Sequence, residues 1–370
     1  MKTLFHSFCR AAPALLAAIL ASGAAAQAQS TACQAQWQLA ARHDQHSDAL
    51  ALRDFGDDAA RKLAPREGRN LAYLDTELRL SRSGCTATWS LLARQSATLV
   101  TSRGALDLAS DIALPGRPAQ SEQWDVRGNY LGFAGAGVEW QAAWSPRPGW
   151  TLGLGAQALA LRHLRERQVD GRASFDAARQ AYQFDVRSFE ADDRLKFPFQ
   201  TGFASNGWGL LFAAELAWRE GPFGASISWR DAGWLRWSGS PQQQAQLASE
   251  TQAVDADGFV VYRPLIQGTN SQPGHSVRPP LRTSAALDWR PDPVWRLQLR
   301  LDGIEGLGRL PALSASRDFG ALRLGLTWRS HERRTTLALD WQALSAVFGA
   351  DSLGRDARSQ EFSLRYRWPL

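Results

Sequence analysis

The sequence predicts an all-β protein, a closed antiparallel up-and-down β-barrel of about twelve strands with short turns at one end and long loops at the other. Three observations lead to this prediction. Many segments alternate between apolar and polar side chains, which is the period of a β-strand. The connections between these segments alternate between short and long. Aromatic residues, above all tryptophan, stand beside nearly every short connection.

The clearest segment is residues 282–302, RTSAALDWRPDPVWRLQLRLD. Two alternating arms surround the turn Pro291-Asp292-Pro293, which is too rich in proline to continue a strand. One face of this hairpin is apolar, with Trp289 and Trp295 beside the turn, and the other face carries arginine and aspartate. A soluble sandwich would bury the apolar face, whereas a transmembrane barrel would turn it toward lipid and the charged face toward a wet lumen. The hairpin alone leaves both interpretations open.

The first residues have the pattern of a secretory signal peptide. Lys2 and Arg10 supply the positive charge, residues 11–21 are apolar, and an alanine-rich stretch ends in A-x-A sites near Ala26 or Ala28. This apolar stretch is too short to anchor the protein in a membrane. We therefore expect the chain to be exported and the signal to be cleaved at one of these sites.

Cleavage there divides the chain into a signal peptide, residues 1–28, and a single barrel domain, residues 29–370. The domain keeps two cysteines, Cys33 and Cys85. Because the compartment outside the inner membrane is oxidising, the two cysteines predict one disulfide.

Composition excludes several classes of protein. The formal net charge is +6, and removal of Lys2 and Arg10 with the signal peptide leaves +4. This charge is too small to indicate a nucleic-acid partner. No apolar run after the signal reaches the roughly 18 residues of a transmembrane helix. The 16 tryptophans outnumber the five tyrosines, which is typical of a protein anchored at membrane interfaces.

The alternating pattern can be followed along the whole domain. It predicts strands over residues 36–42, 72–80, 85–100, 130–144, 150–160, 208–218, 223–229, 283–290, 295–302, 322–329, 335–342 and 362–368. The short connections are residues 81–84, 145–149, 220–222, 291–293 and 331–333, and the segments between the remaining strands are predicted loops, including 164–207, 238–280, 303–318 and 344–358. An even number of strands puts both termini at the end of the short turns.

The chain resembles the bacterial outer-membrane β-barrel superfamily over essentially all of the mature sequence. The last strand, with Phe362, Leu364, Tyr366 and Trp368 on one face, is similar to the C-terminal signal of such barrels, although Pro369 and Leu370 follow the aromatic residue here. The resemblance implies the outer membrane of a Gram-negative bacterium, with short periplasmic turns and long extracellular loops.

Two sets of residues follow from this arrangement. The predicted aromatic girdle at the periplasmic interface contains Trp144, Trp150, Trp218, Trp289, Trp295, Trp328 and Trp368. The predicted lumen-facing charges are Arg290, Arg296, Arg300, Arg323, Arg329 and Arg365, opposed by Glu77, Glu139 and Glu215. Both cysteines fall at the periplasmic end, so a clip between them is geometrically plausible.

We predict from these charges a porin-like channel that passes small polar or anionic solutes through an arginine-rich lumen. Rings of fixed charge select among ions. A second interpretation is that arginine and acidic side chains simply fill the lumen as an ion-pair network. A third is that the barrel is a partner in the assembly or secretion of a surface polymer, pilus or protein. Membrane lipid and a periplasmic or surface component are then the expected partners.

Catalysis has weak support in the sequence. No His-x-Ser motif, the arrangement expected of an outer-membrane lipid hydrolase, occurs in the chain. His46-Ser47 and His275-Ser276 are adjacent pairs, which point to opposite faces of a strand, and both lie in predicted loops. No histidine or cysteine spacing indicates zinc. We therefore predict no enzyme activity, no cofactor and no metal site.

Overall fold

The computed structural model describes residues 35–56, 58–114, 118–196, 206–249, 252–254, 260–262 and 265–369. Over these residues the chain forms twenty strands, one α-helix and two short 3-10 helices, Leu52–Asp54 and Ala59–Lys62. The strands are β1 (Gln36–Ser47), β2 (Arg69–Ser83), β3 (Ala87–Ser102), β4 (Glu122–Trp144), β5 (Trp150–Asp176), β6 (Ala181–Asp192), β7 (Gly207–Glu220), β8 (Phe223–Trp237), β9 (Gln242–Ala248), β10 (Gln252–Val254), β11 (Val260–Tyr262), β12 (Ile266–Ser271), β13 (His275–Val277), β14 (Arg282–Trp289), β15 (Trp295–Ile304), β16 (Gly308–Asp318), β17 (Leu322–Arg329), β18 (Arg334–Trp341), β19 (Leu344–Ala350) and β20 (Ser359–Pro369). The α-helix, α1, is Arg103–Ala113.

Fourteen strands close into an antiparallel barrel, so the prediction of about twelve was wrong by two. Around the barrel the order is β1, β2, β3, β4, β5, β7, β8, β14, β15, β16, β17, β18, β19 and β20. The barrel closes where β20 pairs with β1, with Trp368 opposite Trp37. Closure leaves no free strand edge in the wall. Among the described residues, none of the helices combines the length and the apolar character that a membrane-spanning helix needs.

The two ends of the barrel differ. We call the end that holds residues 36 and 369 the short-turn end. Its connections are 84–86, 145–149, 221–222, 290–294, 319–321 and 342–343. The opposite end, the loop end, holds the connections 48–68, 103–121, 305–307, 330–333 and 351–358, together with the strands from β6 to β13. The predicted strict alternation therefore fails in the last third of the chain, where the loop end also has short turns.

The first missed strand is β16, which covers most of the predicted loop 303–318. Pro311 lies in this strand and argued against it, because proline cannot donate to a sheet ladder. The ladder between β16 and β17 begins only at Ala312, and the carbonyl of Pro311 accepts from the backbone of Ser330 in the turn beyond. In a strand, the N–H and the C=O of one residue point to the same side, so an N–H at position 311 would also point toward residue 330. The strand therefore loses no ladder hydrogen bond.

The second missed strand, β19, follows β18 after a connection of residues 342–343. Gln342 has a φ of +51°, a conformation that glycine or asparagine usually supplies in such turns. The sequence therefore lacked a turn signal. With both strands added, the turn at residues 330–333 lies at the loop end, so its assignment to the periplasmic turns was wrong.

Strands β4 and β5 are 23 and 27 residues long, far more than the barrel wall needs. Their extra length projects beyond the loop end, where β5 pairs with β6, β6 with β9, and β9 with β12. The predicted loop 164–207 is thus partly a hairpin. Helix α1 covers this extension, where Leu108 packs with Trp124 and Phe175.

The wall has an apolar outside and a packed inside. Trp289 and Leu299 are 45% and 54% exposed on the outer face. The opposite face points into the barrel. Near the loop end it is not uniformly polar, because an apolar cluster that includes Leu159, Leu211 and Trp237 is buried within β3 to β8. The charged inner face expected from the sequence is therefore found only on part of the wall.

Candidate functional site

The lumen is crossed by a set of buried ion pairs, which we call the cross-lumen cluster: Asp75, Arg94, Asp231 and Arg282. Arg94 donates both terminal N–H groups to Asp231, at 2.6 and 2.8 Å. Arg282 donates to Asp75 at 2.9 Å. The four side chains are 4 to 11% exposed. Since β2 and β3 face β8 and β14 across the barrel, the cluster ties opposite walls together.

A bulge brings two consecutive residues of β8 into this region. The pairing of β7 with β8 shifts between Phe212 and Ala214, and Asp231 takes a φ of +65°. Neighbouring residues of a regular strand face opposite sides, but here both Arg230, which is opposite Arg282, and Asp231, which accepts from Arg94, face the lumen. Simple alternation cannot predict both side chains on one face.

A second buried network, the loop-end cluster, consists of Asp44, Tyr73, Glu332 and Arg334. Arg334 is fully buried and donates to Asp44 at 2.7 Å. The hydroxyl of Tyr73 donates to Glu332 at 2.6 Å. Glu361 lies 3.2 Å from Arg334. These contacts fix the turn at residues 330–333 over the lumen.

Next to this cluster, Asp48 joins several segments of the loop end. It accepts from the imidazoles of His46, at 2.9 Å, and His331, at 3.1 Å, and from the backbone of Leu71, at 2.8 Å. Burial alone would raise the pKa of Asp48, but the hydrogen bonds from His331, His46 and Leu71 hold it well below the usual value.

The ring nitrogens and carboxylate of His46, Asp48 and His331 lie within 4.8 Å of one another, as metal ligands could. However, the guanidinium of Arg66 lies 2.7 Å from Asp48. The carboxylate of Asp48 is therefore already paired with the cation of Arg66. We assign His46, Asp48 and His331 as a hydrogen-bonded latch that joins the end of β1 to the turn at residues 330–333. The sequence missed it because His46 and His331 are far apart in the chain.

The lumen is more open at the short-turn end. There the inner face carries a set of arginines, all exposed except the half-buried Arg296, which we call the arginine mouth: Arg219, Arg290, Arg296, Arg323, Arg365 and Arg367. Asp288 pairs with Arg296, and Asp318 pairs with Arg323. Partial burial and the positive charges of Arg219, Arg296 and Arg323 lower the pKa of Arg290. These guanidinium groups are therefore close enough to repel one another.

The structure brings the predicted lumen residues into three separate groups. Arg290, Arg296, Arg323 and Arg365 belong to the arginine mouth. Arg300 pairs with Asp302 at 3.1 Å. Arg329 lies between Asp302, at 3.9 Å, and Glu332 of the loop-end cluster, at 3.7 Å. Glu77 and Glu139 share Arg79 deeper in the lumen, whereas Glu215 is exposed. The sequence missed the cross-lumen cluster, although alternation from Trp89 puts Arg94 on the inner face.

Six of the seven predicted girdle residues lie at the short-turn end: Trp144, Trp150, Trp218, Trp289, Trp295 and Trp368. Trp150 is opposite Trp218, and Trp289 is opposite Phe223. Trp328 lies at the loop end, because the missed strand β16 reverses the direction assigned to β17. Cys85 lies in the turn before β3. Cys33 falls outside the described residues, so the disulfide remains a prediction.

No family model and no curated protein matches the chain. Among solved structures it is similar to a "deltaS2S3" mutant of the TodX monoaromatic hydrocarbon channel, with 8% identity, coverage of 92% of this chain and 91% of that one, and a TM-score of 0.43. It is also similar to the toluene transporter TbuX of Ralstonia pickettii, with 7% identity, coverage of 92% of this chain and 90% of that one, and a TM-score of 0.33. A mutant porin of Rh. blastica is similar with 9% identity, coverage of 90% of this chain and 99% of that one, and a TM-score of 0.29. The closed barrel of this chain is defined by its own strand pairing.

Proposed function

We propose that the chain is a channel in the outer membrane of a Gram-negative bacterium and that it passes small polar or anionic solutes. The observation that carries this proposal is the arginine mouth, which lies inside a closed wall with an apolar outer face. The guanidinium groups of Arg219 and Arg365 have no ion-pair or hydrogen-bond partner among the described residues. Their charge is therefore available to attract an anion into the lumen.

The cross-lumen cluster acts as the constriction of this channel. Arg94 and Asp231 span the lumen with side chains that are 4 and 5% exposed, so little water reaches them. A solute can pass only where these side chains separate or leave a narrow path beside them. We therefore expect a small conductance in the wild type and a larger one when the pair is broken by Asp231→Asn.

Recording from the full-length mature protein in a planar lipid bilayer tests the function. Under a KCl gradient we expect a reversal potential that indicates preference for chloride. Arg219→Gln and Arg365→Gln should reduce that preference, because each removes one cation of the mouth. Arg187→Gln, which removes an exposed arginine from β6 outside the barrel wall, is the matched control and should leave it unchanged.

Cation preference, or the absence of conductance in both the wild type and an Asp231→Asn barrel that circular dichroism shows to be folded, would overturn the channel. N-terminal sequencing of the mature protein tests export separately, since we expect cleavage after Ala26 or Ala28. Residues 1–34 lie outside the described part of the chain, so the signal peptide remains part of this proposal.

The alternative function is a barrel partner in the assembly or secretion of a surface polymer, pilus or protein. The same constriction supports this alternative. A lumen that is open at the arginine mouth and closed by the Arg94–Asp231 pair forms a cup. Such a cup could hold an acidic segment of a periplasmic component. Co-purification of such a component that is lost in Arg219→Gln would favour this alternative. Hydrolysis of lipid by the purified barrel, abolished by one serine or histidine substitution, would instead indicate an enzyme.

A further inference from the structure

An arginine interrupts the outer face of the barrel at the short-turn end. Arg317 on β16 is opposite Trp295 on β15, and every second residue along this side of β16 faces outward, including Leu313, which is 59% exposed. A charged residue on the lipid-facing side of a barrel is unfavourable unless it lies near an interface. The position of Arg317 therefore needs a physical reason.

Two aromatic rings hold the guanidinium of Arg317. Its central carbon lies 5.3 Å from the ring centroid of Trp295 and 5.0 Å from that of Phe319. Both rings are themselves exposed, by 38 and 52%. Contacts with ring faces stabilise the cation, but they provide no acceptor for its N–H donors.

The two acidic residues near Arg317, Asp292 and Asp318, form hydrogen bonds or ion pairs with other groups. The carboxylate of Asp292 accepts from the backbone N–H groups of Val294 and Trp295. Asp318 points to the inner face, where it pairs with Arg323. Within the described residues, the guanidinium of Arg317 has no hydrogen bond and no ion pair. Its planar donor set is thus positioned without a protein acceptor.

The depth of Arg317 can be estimated along its own strand. Arg309 lies on the same outward side of β16, eight residues earlier, and pairs with Gly303 near the loop end. Eight residues correspond to about 26 Å of strand, or roughly 20 Å of depth at a tilt of about 40°. That depth is close to the roughly 25 Å apolar band of an outer-membrane barrel. Arg309 and Arg317 therefore lie near opposite headgroup levels.

We propose that Arg317, Trp295 and Phe319 form a binding site for the phosphate of an anionic membrane lipid. A guanidinium presents N–H donors in a plane that matches two phosphate oxygens. The two rings orient this plane and lie at the depth where lipid headgroups are found. The proposal rests on the membrane placement within the proposed function and is independent of conduction through the lumen.

Native mass spectrometry of the full-length mature protein tests the site. The protein is reconstituted in bilayers of phosphatidylcholine and phosphatidylglycerol and then released, and the phosphatidylglycerol that remains bound is counted. We expect Arg317→Gln to lower the affinity of the site roughly tenfold or more, because one charged hydrogen-bond set is lost. Arg317→Lys keeps the charge without the planar donor set and should retain an intermediate amount.

Arg187→Gln is the control, since it changes the net charge equally at an exposed position away from the girdle. Equal retention in the wild type and Arg317→Gln, or an equal fall in Arg187→Gln, would overturn the site. Equal retention of phosphatidylcholine would overturn its anionic specificity. Conductance is recorded from the same preparation. A conducting barrel without selective lipid refutes the site alone, whereas selective lipid binding without conductance refutes the channel alone.

Discussion

Replacing Asp231 with asparagine should destabilise the barrel strongly, because it leaves buried cations without a counter-charge. Arg94 holds both carboxylate oxygens of Asp231 and lies 3.5 Å from Asp75, which also binds Arg282. With Arg230, also in contact with Asp75, three arginines share two aspartates. After the substitution only Asp75 remains. Removal of one partner from a buried ion pair costs about 3 to 5 kcal/mol.

Asparagine is the suitable replacement because it separates charge from backbone effects. Asp231 has a φ of +65°, and asparagine is among the few residues that adopt this conformation readily. The side chain also keeps its size. Any loss of stability therefore reports on the ion pair.

The free energy of unfolding is measured by urea titration of the folded barrel in detergent micelles, followed by tryptophan fluorescence. Asp318→Asn is the matched control, because its partner Arg323 is 51% exposed and Asp318 itself 34%. Pairs exposed to this extent contribute roughly 0 to 1 kcal/mol. A loss in Asp231→Asn no larger than that in Asp318→Asn would refute the view that the cross-lumen cluster is buried and holds the walls together.

Two further predictions concern the loop end and the outer face. The pKa of Asp48 is lower in the folded than in the unfolded protein, so its contribution to stability is complete above about pH 4 and is lost as the pH falls toward the folded pKa. Unfolding measured from pH 6 downward should show a steeper loss in the wild type than in Asp48→Asn, and equal slopes would contradict the latch. Leu313→Arg puts a charge on the outer face between Arg309 and Arg317 and should cost about 2 to 4 kcal/mol in a lipid bilayer. The exposed turn variant Val294→Arg should cost much less, and a similar cost for both would argue against a lipid-facing wall.

The closed all-β architecture was predictable because alternation is a local property. Each side chain of a strand points to the side opposite its neighbour, so Trp289 and Leu299 share one face and Arg296 and Arg300 the other without knowledge of the partner strands. The number of strands was less accessible. Pro311 and Gln342 obscured β16 and β19, because the compatibility of a proline or a tight turn depends on which neighbour receives each hydrogen bond.

The sequence by itself determined which face of each recognised strand is apolar, and it predicted that the inner face is rich in arginine. Only the tertiary structure decided which of those charges meet. Asp75 and Arg282 are 207 positions apart, and the bulge at Asp231 brings an additional carboxylate inward. Ion pairing depends on distances across the closed barrel, and these distances are set by strand number and register, which no local pattern specifies.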